Sequence, residues 1–382
     1  MVLRNLRIER QEKSKLCMDI EYNNRINTLW YEVDNKYEKY LCTELADSFL
    51  VALLLFALEK KENITIENVP VSDILLYNIK KYIIPTLCNN ITKYNHIEIN
   101  ALTSNIKFNN KCNGTGISRG IDSFCTINEF TNECPDDYKI DYLTFFNIGS
   151  HGEYDSEKAY KIFQKRMEKS KKFADEYNFE FLVVNTNISD FIMQEFIETH
   201  TFRNMSIIFA LQKLFKNYYY SSTYRIEEFK ITTDDIAYFD SYTLSLLSTN
   251  NVRFYSSGSS INRLEKTKLV ANYKPSYKYL NVCFKDDFNC GKCEKCIRTI
   301  YELYSSGNLD KYSKVFDINY FYSHRNWYER KFFEFYFKYP GKNSYYKVVY
   351  REMKKNNLKI KKVNMIKGLC VFFIKKIYHI FK

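Results

Sequence analysis

Glycine and proline are scarce in this chain, ten and five among 382 residues, while tyrosine and phenylalanine number 34 and 30. That bias reads as AT-rich coding as much as physics, so the aromatics alone carry no functional argument. No internal repeat and no low-complexity linker interrupts the sequence, and 45% of it is hydrophobic, which excludes a disordered chain. No apolar run reaches the length of a membrane span; the longest, 49–58, reads as a buried helix. The opening Met1-Val-Leu-Arg-Asn-Leu-Arg lacks the apolar core of a signal peptide. With an odd count of eleven cysteines, it leads to the expectation of a reducing cytoplasm. Acidic residues are nearly absent from one region. Residues 341–382 hold eleven Lys and one Arg against one Glu, a net of +11 out of +12 for the whole chain. The rest is close to neutral, which weakens the argument for a protein built as a whole around nucleic acid without excluding that partner.

The cysteines that are present are not evenly spread. Cys283, Cys290, Cys293 and Cys296 form two overlapping C-x-x-C steps with one cysteine upstream, the ligand set of a closed tetrahedral Zn2+ site. Four thiolates leave no open position, so the metal is expected to be structural. Gly291 suits the tight turn, and Lys292 and Lys295 would favour thiolates. Four unrelated free thiols are one alternative. A redox pair is another, for which four cysteines are one or two too many. The other seven show no paired spacing.

Residues 1–100 read as a small α/β unit, with strands at 15–23 and 28–33 and a helix at 43–60 carrying Leu45, Phe49, Ala52, Leu53 and Phe56 on one face. A second helix spans 71–87 and is expected to break at Pro85. Beyond residue 100, strands at 142–147, 179–184, 218–221 and 252–256 alternate with helices at 156–177 and 204–215. This alternation predicts an α/β fold, a parallel sheet with helices on both faces. Ligands of such sheets bind at the carboxyl ends of strands. The expected partition is 1–100, a nucleotide-binding domain over 101–306, and a basic, aromatic, helical region over 307–382.

One segment meets that positional expectation. In Asn113-Gly-Thr-Gly-Ile-Ser118-Arg119-Gly120-Ile121-Asp122-Ser123, small and hydroxylated residues open a helix after a strand. Backbone N–H groups and hydroxyls there would make an anion site. Asp122 and Ser123 suit capping, and Asp122 also suits a metal ion. An ordinary Gly/Ser loop with an Asp cap is the plainer alternative.

With both motifs in view, the chain resembles the PP-loop ATP pyrophosphatase superfamily, in particular its 7-cyano-7-deazaguanine (queuosine precursor) synthase-like branch. Ser118-Arg119-Gly120-Ile121-Asp122-Ser123 matches the Ser-Gly-Gly-x-Asp-Ser loop, and the four cysteines match the branch's zinc site. Phe202-Arg203-Asn204 resembles a Gly-Arg-Asn at a helix start, and Leu264-Glu265-Lys266 a Leu-Thr-Lys whose lysine lies near the phosphates. The elements keep the family's order over 105–305. The resemblance implies a Rossmann-like PP-loop domain that binds ATP and Mg2+, with cleavage between the α- and β-phosphates. A carboxylate or amide oxygen would be adenylated, and a nitrogen or sulfur nucleophile would then displace AMP. Ser118, Asp122, Ser123 and Lys266 would be catalytic. Arg119, Gly120, Ile121, Arg203 and Asn204 would join them in binding the nucleotide. Two departures stand out: Arg119 and Phe202 replace glycines, and an arginine at 119 suits the loop only if its φ is negative. No residues match those that read the deazaguanine base.

The expected activity is therefore an AMP-forming, amidotransferase-like ligase acting on a small carboxylated molecule, with a lean toward sugar intermediates of surface polysaccharides. A tRNA-modifying thiolase and a catalytically degenerate nucleotide-binding partner are the competing readings. Arg203 also reads as a surface ion pair, Lys266 as one of four charges in Arg263-Leu-Glu-Lys-Thr-Lys, and Asp240 as a solvated helix cap or a substrate-facing acid. Cys125 reads as a small buried side chain or a sulfur carrier, and His151 as a loop residue or a pocket border. The tail 361–382, where lysines alternate with apolar clusters, is either a helix on an anionic membrane surface at the inner face or one packed on its own domain.

Overall fold

The computed structural model describes residues 1–149, 157–341 and 344–380. They divide into two compact units, 1–117 with 129–260 and 118–128 with 261–382. These boundaries differ from the expected partition, and the reason is strand pairing in the first unit.

In the first unit the strands β2 (Ser14–Tyr22) and β3 (Arg25–Val33) alternate as half-buried strands should, with Leu16, Met18, Ile20, Leu29, Tyr31 and Val33 inward. β1 (Val2–Arg10) completes an antiparallel meander with them. Short strands follow at β4 (Ile64–Ile66), β5 (Val71–Ser72), β6 (Ile99–Asn100) and β7 (Thr103–Ser104). Then come β8 (Cys112–Gly116), β9 (Tyr142–Asn147), β10 (Glu180–Thr186), β11 (Phe215–Ser221) and β12 (Arg253–Ser257), mutually parallel. Among the described residues ten strands make one sheet, ordered β12-β11-β8-β9-β10-β3-β2-β1-β4-β6. The join is antiparallel, Asn185 opposite Glu32 and Thr186 opposite Tyr31. The N-terminal strands thus extend the parallel sheet and are not a separate α/β unit. Within the parallel part, order reverses at β8, the topological switch point. Gly114 of β8 has no room for a side chain: a Cβ would lie 2.5 Å from the Phe215 ring.

The helix α1 (Asp47–Lys60) is buried on every side from Asp47 to Leu58, so the single apolar face expected for it is a whole buried cylinder. After α2 (Asp73–Asn78) the chain makes a π-turn, Ile79–Ile83, and continues as α3 (Ile84–Asn90). Pro85 does not break the helix. It falls in the first turn of α3, and the wider preceding turn absorbs its missing N–H. The helices α5 (Glu157–Glu176), α6 (Ile188–Phe191), α7 (Phe196–Ala210) and α8 (Asp240–Leu247) complete the unit. α7 begins eight residues before the expected 204, and Phe215 already belongs to β11.

The second unit holds α4 (Ile121–Asn128), α9 (Arg263–Val270), α10 (Ser276–Tyr279), α11 (Glu294–Ser305), α12 (Ile318–Ser323), α13 (Arg325–Lys338), α14 (Tyr345–Lys355) and α15 (Lys362–Ile380). The tyrosine and phenylalanine excess has its use here. Tyr301 packs against Phe332 at 4.5 Å between ring centroids and Phe321 at 5.8 Å, and Phe332 against Tyr346 at 5.4 Å, all four buried.

Asp47, fully buried at the head of α1, accepts hydrogen bonds from the Ser72 amide (2.7 Å), the Ser72 hydroxyl (2.5 Å) and Gln212 (3.3 Å). Burial nonetheless dominates and pushes its carboxyl up to about 6. A carboxyl raised on folding takes up a proton, so its contribution is whole below the unfolded value and is lost as pH rises through about 6. Denaturant unfolding should therefore show the stability of Asp47→Asn gaining on wild type by about 3 kcal/mol between about pH 4 and pH 7.

Candidate functional site

All of the residues that gather into a candidate site lie in the second unit. The four cysteines converge: their Sγ atoms lie within 4.8 Å of one another, with Cys283–Cys293 at 3.9 Å and Cys290–Cys296 at 4.0 Å. A tetrahedron with metal–sulfur bonds of about 2.3 Å has edges of about 3.8 Å, so the donor set fits Zn2+. Gly291 makes the turn between ligands at φ +68, as expected, and the Cys293 amide donates to the Cys290 sulfur at 3.4 Å. Cys293 is the N-cap of α11 and Cys296 sits in its first turn, where the helix dipole favours thiolates. The Cys293 thiol is held at about 5, first by the hydrogen bond with Cys296 and against its burial. Of the two lysines expected to help, Lys295 interacts electrostatically with Cys293, whereas the Lys292 ammonium lies over the Tyr320 ring, 5.1 Å from its centroid.

The segment 118–123 leads into α4. Arg119 has φ +60, not the negative value expected, so it takes the left-handed conformation that a glycine would hold there. Such a residue costs on the order of 1 kcal/mol, which the surroundings must impose. The Arg119 carbonyl accepts the Asn281 amide at 2.8 Å, and its side chain is buried. Ser118 and Ser123 face each other at 3.3 Å; the Gly120 amide donates to the Ser118 hydroxyl, and the Ser123 hydroxyl to the Gly120 carbonyl. Cys125 is buried on α4.

Asp122, in the first turn of α4, is the centre of a charge cluster. Its carboxylate pairs with Arg263 at 2.5 Å and Lys266 at 3.5 Å, both from α9. Burial alone would raise its pKa; the charges of Arg263, Lys266 and Arg298 outweigh that and hold it below the usual carboxylate value. Glu302 of α11, 1% exposed, faces Arg263 at 3.6 Å and Arg298 at 3.8 Å and accepts from Thr267 at 3.0 Å. Its burial outweighs these partners and raises its pKa. Partial desolvation and the guanidiniums of Arg298 and Arg263 lower that of Lys295. Arg263, Lys266, Lys295 and Arg298 thus surround two carboxylates, an excess of two positive charges. The ion pairs beyond 3.5 Å lack hydrogen-bond geometry: Arg263 Nε and Arg298 Nε lie 3.6 and 3.8 Å from Glu302 and make no hydrogen bond. Such an arrangement favours a polyanion.

The sequence reading singled out Asp122 and Lys266 but passed over Arg263, Arg298 and Glu302. The signal existed: Arg263, Lys266 and Thr267 stand at i, i+3, i+4, and Lys295, Arg298 and Glu302 at i, i+3, i+7, each set on one helix face.

Arg203 and Asn204 lie in the first unit, within α7 rather than at its start. Arg203 is no surface ion pair. It is buried and donates to Thr199, Ser189 and the carbonyls of Ile148, Ile192 and Gln194, which makes it a brace for those segments. Asn204 donates to the His200 carbonyl one turn back. Asp240 is not a solvated cap: it is 1% exposed and accepts from Thr201 at 2.6 Å, with burial pushing it up to about 6. Near it, His200 bonds Tyr220 at 2.8 Å and Asp235 at 3.2 Å, a chain that no local motif announces. His151 lies outside the described residues.

Comparison with protein-family models, with curated proteins and with solved structures finds no match for the chain.

Full-length protein should carry about one zinc per chain by elemental analysis, since four converging thiolates bind it strongly. Cys296→Ser should lose most of the metal and unfold at lower temperature, whereas Cys88→Ser, a change in the first unit, should keep both. Equal zinc in the two variants would remove the metal assignment.

Proposed function

We propose that the second unit carries the pyrophosphate site of an AMP-forming ligase, which adenylates a carboxylate or amide oxygen of a small molecule. One observation carries this reading: the Ser118–Ser123 loop opens α4 where α9 and α11 contribute an excess of positive charge. ATP is the substrate that fits it. The acceptor oxygen would attack the α-phosphorus while the bond to the β-phosphate breaks. Pyrophosphate would leave as an anion toward Arg263, Lys266 and the first N–H groups of α4, where fixed dipoles and cations stabilise developing charge. A nitrogen or sulfur nucleophile would then attack the adenylated carbon and expel AMP. Asp122, whose carboxylate is held ionised by the cations around it, would hold the Mg2+ that a nucleoside triphosphate brings, and that ion would neutralise phosphate charge. The positive φ of Arg119 supports the reading, because the loop keeps the backbone that the glycine-containing motif requires.

A second reading, a nucleotide-binding partner without catalysis, is favoured by the short Asp122–Arg263 pair, which commits the carboxylate. Incubation of the full chain with ATP, Mg2+ and carboxylated nucleotide sugars or extract fractions separates the two. Equimolar AMP and pyrophosphate should appear with one fraction. Lys266→Ala should lower that release by about 100-fold at unchanged zinc content, the scale of losing one transition-state donor. Nucleotide binding with no pyrophosphate in any fraction would establish the second reading, and no nucleotide binding would end both.

A further inference from the structure

We propose that the C-terminal helix α15 lies in the plane of an anionic lipid bilayer and holds the protein on its surface. The orientation of α15 is set by α13. On one face Asn364 donates to Glu329 at 2.7 Å and to Asn326 at 3.1 Å. Gly368 lets the two helices approach so closely that a Cβ there would lie 2.7 Å from the Phe333 Cβ and 2.8 Å from the Arg330 carbonyl. Lys375 pairs with Glu334 at 2.5 Å at the edge of the same contact.

The opposite face is what this docking leaves to solvent. Val363, Ile366, Cys370, Phe373, Ile374 and Ile377 follow one another at helical spacing, and all are exposed, the five large ones by half or more. At 3.6 residues per turn they fall within an arc of about 100°. Lys362, Lys367 and Lys376, all exposed, flank the stripe. An apolar stripe bordered by lysines is the pattern of a helix that buries one face at the headgroup boundary while its cations meet anionic lipids. Among the described residues no helix is long and apolar enough to cross a membrane, so α15 would lie on the bilayer.

Charge selects this occupant. Residues 341–382 carry a net +11, and a second copy would bring like charge against like charge within a screening length. Nucleic acid would satisfy the lysines and leave the apolar stripe in water.

Co-sedimentation of the full chain with vesicles tests the proposal, using phosphatidylcholine alone and phosphatidylcholine mixed with phosphatidylglycerol. Binding to the mixed vesicles, weakened by salt, is expected. Phe373→Ser with Ile374→Ser and Ile377→Ser should reduce it by about tenfold or more. These positions leave the α13 contact intact, so zinc content and thermal unfolding should match wild type. Lys367→Gln with Lys376→Gln should weaken binding to the mixed vesicles selectively. Three results would overturn the proposal: no binding to either vesicle, binding indifferent to the serine changes, or a dimer in solution that the serine changes dissociate. So would tight RNA binding that depends on the lysines alone in the absence of vesicle binding.

Discussion

The second unit depends on buried charge being paired. Asp122 and Glu302 sit among Arg263, Lys266 and Arg298, and removing either carboxylate leaves cations facing one another without it. Breaking such a pair costs about 3–5 kcal/mol, although the intact pair adds little net stability. The cluster therefore acts as a register device: it fixes which turns of α4, α9 and α11 face one another. Two things follow from the same residues. The helix that carries the loop is held in place, and the cations are left in excess. A fold stabilised only by apolar contacts could supply the first without the second.

Backbone strain points the same way. Arg119 is held at φ +60 between a buried side chain and a carbonyl committed to Asn281. A non-glycine residue persists in that conformation only where its surroundings over-determine it. A glycine would relax the backbone there, so the arginine must gain through its side chain what it loses in φ. The sequence led to the expectation of a negative φ, which is overturned, because residue type alone says what a position prefers and not what packing imposes.

The elements that were legible are those where one local signal dominates. The strands at 142–147 and 180–186 are apolar runs between polar turns, and the four cysteines have a spacing that admits few structures. β1 was missed because Arg4, Arg7, Glu9 and Arg10 mask its alternation; Arg7 reaches Glu9 at 2.7 Å and Asp19 at 2.9 Å across the sheet face. The start of α7 was missed because its N-cap, Glu195, makes no capping hydrogen bond, so no local signal marks the first turn. Pro85 misled because a proline's effect depends on the turn before it, and a π-turn leaves no mark in composition. The joining of β3 to β10 is a pairing across about 150 residues, which no local pattern encodes.

Metal site and charge cluster are not independent features. α11 begins at the N-cap Cys293, carries Cys296 in its first turn, Arg298 on the next residue but one, and Glu302 a turn later. A metal held by Cys293 and Cys296 together with Cys283 and Cys290 would tie the start of that helix to the loop just before it. The helix can then neither rotate nor slide without moving Arg298 and Glu302 out of reach of Arg263. A closed zinc site with no open position has no chemistry of its own to offer. Its physical value lies in rigidity: cations that must meet a developing charge work best when they need not be reorganised as it forms. In the proposed ligase, a metal on the four cysteines at the foot of the cation-bearing helix would supply that preorganisation.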